Sequence, residues 1–186
     1  MQLLKPQNLC YAQLWGLIVV RPHRNMLGDA HVLEVIDAAF GAVAKPEHFT
    51  NYVHCEECAE HDATLRLHDR ATLKIEHVEN PGWDPLCFAS PEGKAYYLPT
   101  LARFALAPPT YEYNWYGDQL LFHLTSGGQY NEFLGYCTAE QRHAIALLLE
   151  HVITTRASAP EVQSSQDELL QAHELWSTYR PASSAA

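Results

Sequence analysis

The chain has 186 residues, 47% of them hydrophobic and 18% charged, with a formal net charge of −10. That is apolar material enough for one domain with its own core and no disulfide framework. The acidic balance and the lack of a Lys/Arg-rich stripe argue against nucleic acid or an anionic lipid surface as partner, and no stretch is long enough to span a bilayer.

Residues 1–25 read as an N-terminal extension. Their most apolar run, Leu14 to Val20, is a short strand or a segment upstream of the true start, because Met26 stands just before the first helical pattern and Arg21-Pro22-His23-Arg24 offers no small-residue cleavage site. From Asp29 onward, Val32, Leu33, Val35, Ile36, Ala39, Phe40 and Val43 recur at spacings of three and four. They predict a helix started by Gly28 or Asp29 and bounded by Gly41 and Pro46.

Glu56 to His68 predicts a second helix. Thr72 to Val78 alternates in polarity, which fits a short strand. Asn80-Pro81-Gly82-Trp83-Asp84-Pro85 is a turn cluster with no regular structure, and Leu86 to Ala89 is a second short strand candidate. Ser90-Pro91-Glu92 opens a helix with Ser as cap and Pro at the first position, in preference to a hairpin turn at 90–93. A break is expected before Pro99, with a further helix to about Leu106.

Pro108-Pro109 begins a loop with Tyr111, Tyr113, Trp115 and Tyr116, able to line a pocket or cover the core. Asp118 to Leu124 predicts a short helix. Thr138 and Gln141 form a capping box for a helix ending near Arg156. Residues 157–166 read as a linker, Asp167 to Tyr179 as a shorter amphipathic helix and 181–186 as a flexible tail. The fold class is therefore mainly α, a compact single helical domain over residues 26–156 with room for a minor short strand pair. A linker, short helix and tail follow over 157–186.

The chemistry concentrates in His54-Cys55-Glu56-Glu57-Cys58-Ala59-Glu60-His61, which holds two thiols, two imidazoles and three carboxylates. Cys-x-x-Cys is a zinc half-site, and His61 and His54 are the candidate nitrogen ligands. On a straight helix those two histidines stand about 10 Å apart along the axis. Either a turn near Cys55 or donors from elsewhere, such as Cys87, His68 or His77, must complete a shell. An odd total of five cysteines, two of them three apart, fits a reducing compartment, so the bacterial cytoplasm is the default.

Three functions follow from this octapeptide. The first is a zinc-stabilised cytoplasmic protein acting through protein contacts. The second is a zinc-dependent hydrolase with Cys55, Cys58 and His61 as ligands and Glu57 or Glu60 as general base. The third is a thiol redox protein, although the neighbouring carboxylates should raise both thiol pKa values. Set against all three is a reading in which Cys55 and Cys58 are simply small buried residues. Asp84 is a weak catalytic candidate that more plainly caps the next segment, and His123 reads as a core histidine with a satisfied hydrogen bond.

His54-Cys55-Glu56-Glu57-Cys58, Glu60-His61-Asp62, Asn80-Pro81-Gly82-Trp83-Asp84-Pro85 and Ser90-Pro91-Glu92-Gly93 with Tyr96-Tyr97-Leu98-Pro99 together resemble a bacterial family catalogued as a domain of unknown function. The similar region runs from Ala30 to Arg156. The resemblance implies a single domain and carries no activity, cofactor or site residues.

Overall fold

A computed structural model describes residues 28–109 and 114–180. The readings made on 1–25, on Tyr111 and Tyr113 and on the 181–186 tail lie outside these residues. Among the described residues eight α-helices follow in chain order: α1 (Asp29–Phe40), α2 (Glu56–Leu67), α3 (Pro91–Leu106), α4 (Gly117–Thr125), α5 (Glu132–Tyr136), α6 (Ala139–Arg156), α7 (Pro160–Gln163) and α8 (Gln166–Thr178). Among the described residues there is no strand, only an isolated antiparallel bridge between Thr50 and Ala89. No described helix is long and apolar enough to cross a membrane.

α3 is the centre of the packing. It lies against α1, α4 and α5, while α6 packs on α1 and α8, and α8 packs on α4. Eleven of its sixteen residues are buried, which explains why it is one helix and not two. Pro99 removes the N–H that would bond the Ala95 carbonyl and costs about 3 kcal/mol in an isolated helix. Burial of Leu98, Leu101, Ala102 and Ala105 offsets that cost, since a buried leucine alone contributes about 2 kcal/mol. The Ser90 hydroxyl accepts the Gly93 N–H at 3.1 Å, so the segment opens a helix and not a hairpin.

α1 buries Val32, Ile36 and Phe40 along one stripe. Its carboxyl end is tied to α3 by Arg70. The guanidinium donates to the carbonyls of Phe40, Gly41, Val43 and Tyr96 at 2.6–2.9 Å and lies 4.4 Å from the Tyr96 ring centre. The capping box of α6 is present, with Thr138 and Gln141 exchanging hydrogen bonds of 3.0 and 3.2 Å. α8 joins the same core through Leu169, Ala172 and Trp176, the last donating its indole N–H to the Leu124 carbonyl at 2.9 Å. The stretch read as a linker carries α7, anchored by buried Val162.

Both strand expectations fail. Residues 72–78 contain a 3-10 turn at Ile75–His77, and Leu86 and Cys87 lie within one at Pro85–Cys87 that Phe88 caps. The proline-rich cluster, expected to lack regular structure, also forms a 3-10 turn at Pro81–Trp83. Proline at the first position of so short a turn loses no hydrogen bond, so it favours these turns instead of forbidding them. Alternation over seven residues reflected which side chains reach the core, not strand pairing.

Candidate metal centre

α2 is held at its carboxyl end and near its middle, apart from the contacts of Cys55 and Cys58. At its carboxyl end, the Tyr97 hydroxyl donates to the carbonyls of Leu65 and His68 at 2.6 and 2.8 Å. Near its middle, buried Asp62 gathers the chain before the helix. Its carboxylate accepts the Phe49 and Thr50 N–H groups at 2.6 and 3.2 Å and lies 2.7 Å from His48 Nδ1. Burial pushes this carboxyl upward, but the His48 and backbone hydrogen bonds prevail and leave it below the ordinary aspartate value. The Thr50 hydroxyl adds a bond to the Cys58 carbonyl at 2.7 Å. The segment from 48 to 55 is thereby folded back over the first turn of α2.

Cys55 caps that turn with an extended backbone, its sulfur accepting the Cys58 N–H at 3.4 Å. The two sulfurs stand 3.2 Å apart, and Cys58 Sγ is 3.7 Å from His54 Nδ1. His54, Cys55 and Cys58 bring one donor atom each to within 4.8 Å of one another, a group able to hold a metal ion. The chain turns at Cys55, so His54 leaves the helix axis and reaches the thiols.

The electrostatics differ from the expectation that nearby carboxylates raise both thiols. The Cys58 N–H, then the Cys58 thiol and His54, lower the pKa of Cys55. Cys58 is raised by Cys55, by burial and by Glu57. The carboxylates of Glu56, Glu57 and Glu60 are exposed and screened by water, whereas the cap hydrogen bond acts directly on one sulfur.

His61 does not join this group. Its imidazole is buried between two rings, with centroids 4.7 Å from both Trp83 and Phe88, and Nε2 has no hydrogen-bond partner. Its nearest carboxylate oxygen, on Glu57, is 3.6 Å away. The three-residue step from Cys58 keeps His61 on a neighbouring part of the helix face, and the aromatic slot claims it there. Glu60 is exposed, and Glu57, about half exposed, lies along the same helix face as His61. His68 and His77 stack on each other with centroids 4.0 Å apart and do not reach the thiols.

Asp84 is buried and caps the Pro85–Cys87 turn, Oδ1 accepting the Leu86 N–H at 2.8 Å. Its Oδ2 receives Gln119 Nε2 at 3.1 Å and lies 2.8 Å from His123 Nε2. The capping and core readings of these two residues both hold. Their meeting across 39 positions left no mark in local spacing, and Cys87 joins them: Asp84, Cys87 and His123 form a second group with donor atoms within 4.8 Å of one another.

No family model, no curated protein and no solved structure matches this chain.

Proposed function

We propose that this chain is a zinc-binding helical protein that acts through protein contacts, with the ion held by His54, Cys55 and Cys58. The observation that carries this reading is the convergence of two sulfurs and one imidazole nitrogen within 4.8 Å at the start of α2. Two thiolates and an imidazole are a donor set matched to zinc, which takes a fourth ligand to complete a tetrahedron. The residues just before these ligands in the chain, Tyr52 and Val53, are exposed at 44% and 75% and offer a partner an apolar surface. With His61 buried between rings, the ligand trio of the hydrolase reading, Cys55, Cys58 and His61, is not brought together.

A second reading rests on a separate observation. Cys55 is an exposed capping thiol 3.2 Å from the buried thiol of Cys58. That pairs a nucleophilic sulfur with a resolving one, as a reversible dithiol requires. The two readings part when the protein is purified without added metal under reducing conditions. Zinc content lost in Cys58→Ser supports the first. A metal-free protein that loses two hydrogens from Cys55 and Cys58 on mild oxidation supports the second.

A further inference from the structure

The second donor group stands on different elements from the first, and its geometry arises differently. Asp84 opens the Pro85–Cys87 turn and Cys87 closes it. A 3-10 turn has three residues per revolution, so side chains three apart eclipse, and the carboxylate and thiol project to one side. α4 then delivers His123 to the same point. Asp84 is 4% exposed and His123 3%, while the Cys87 thiol is accessible.

Two arrangements of a thiol, an imidazole and a carboxylate are chemically distinct. In a nucleophile relay the imidazole lies between the other two, each on its own ring nitrogen, and a ring's width plus two hydrogen bonds separates sulfur from carboxylate. Here Cys87 Sγ lies within 4.8 Å of a carboxylate oxygen as well as of an imidazole nitrogen. The donors converge on a point instead of standing in line.

We propose that Asp84, Cys87 and His123 hold a divalent cation of the zinc class at the wall of the cavity of about 310 Å³ that Cys87 and His123 line. One thiolate, one imidazole and one carboxylate suit zinc or cobalt(II), and three protein ligands leave a position open. That position faces the cavity, whose wall also carries Lys94, Asn131 and Glu132, so water or a small anion completes the shell. The ligands are braced as metal ligands are. The Leu86 N–H and Gln119 Nε2 hold the carboxylate, and Gln119 Nε2 also donates to the Val78 carbonyl at 2.8 Å. Asn131 Nδ2 donates to the His123 carbonyl at 2.9 Å. A cation takes the place of the proton between His123 Nε2 and Asp84 Oδ2, the imidazole then carries its proton on Nδ1, and the Cys87 thiol proton goes to solvent.

Cobalt(II) titration of the full chain tests this independently of the first site. In Cys55→Ser/Cys58→Ser protein, about one equivalent is expected to bind with a sulfur-to-cobalt charge-transfer band. Adding Cys87→Ser abolishes the band. Asp84→Asn, whose amide oxygen still accepts the Leu86 N–H, weakens binding at least ~tenfold. A band that survives Cys87→Ser, or a folded double-serine protein that takes up no cobalt, overturns the proposal. Should the double-serine variant not fold, Cys87→Ser in the natural chain must lower cobalt uptake by about one equivalent, and unchanged uptake overturns it. If only the His54 site fails, Cys87→Ser still removes the one band present and Cys58→Ser leaves it intact.

Discussion

His61 and Phe88 stack with ring centroids 4.7 Å apart and planes 19° apart. Trp83 covers the imidazole from another direction, and together the two rings take His61 out of reach of Cys58, one turn earlier on the same helix. A histidine in an octapeptide of metal-binding residues thus serves the core, and its buried Nε2 lacks a partner. His61→Phe should keep the stacking and remove the desolvated nitrogen. Thermal unfolding is expected to be unchanged or raised, by up to about 1 kcal/mol of added stability, with metal uptake unaltered. A loss of bound metal in this variant would return His61 to the ligand set.

The asymmetry of the two thiols predicts an order of reaction. In protein stripped of metal by a chelator, iodoacetamide near neutral pH should label Cys55 first, as read by peptide mass spectrometry. Cys87 is pushed up to about 11 and Cys137 to about 12, chiefly by burial, and Cys58 is also raised. The Cys55 rate should reach half its maximum below 9.0, the ordinary thiol value, because its thiolate is the form the helix cap favours. A midpoint above that value contradicts the capping geometry.

Asp62 holds the 48–50 segment over α2, so Asp62→Asn should cost about 2 kcal/mol in urea unfolding, the loss expected when hydrogen bonds to a charged acceptor are weakened. Its folded carboxyl titrates lower than the unfolded one. The contribution is therefore complete above the unfolded value, near 3.8, and is lost as pH falls through the lower folded value. The natural chain should lose stability on acidification more steeply than Asp62→Asn. Parallel curves would show that the carboxylate charge is not what the segment uses.

Arg70→Lys tests the joint between α1 and α3. A lysine ammonium cannot span carbonyls at Phe40, Gly41, Val43 and Tyr96 with one planar fork. A loss of about 2–3 kcal/mol is expected in chemical denaturation. A change below about 0.5 kcal/mol, the range of ordinary surface substitutions, would contradict that role.

Helical periodicity made α1, α4, α6 and α8 readable, because each buries one stripe and the spacing of apolar residues records it; α2, which buries Cys58, His61, Asp62 and Leu65, was readable only from compatible residues uninterrupted by Gly or Pro. Pro99 and residues 72–78 were misread for one reason. Local rules describe an isolated segment, and burial across α3 overrode the proline penalty while core contacts mimicked strand alternation. At the candidate centre, Cys55 and Cys58 were legible because their spacing is local, and a turn at Cys55 was one of the two ways foreseen to bring His54 in. The exclusion of His61 was not legible, since it depends on Trp83 and Phe88 from a distant turn. The meeting of Asp84 with His123 depends in the same way on how α4 docks.

The most direct test is zinc content per chain, measured by elemental analysis after gel filtration of the natural protein and of Cys55→Ser/Cys58→Ser protein, both purified without added metal. The variant should carry about one zinc fewer. Equal zinc in the two proteins would contradict an ion held by His54, Cys55 and Cys58.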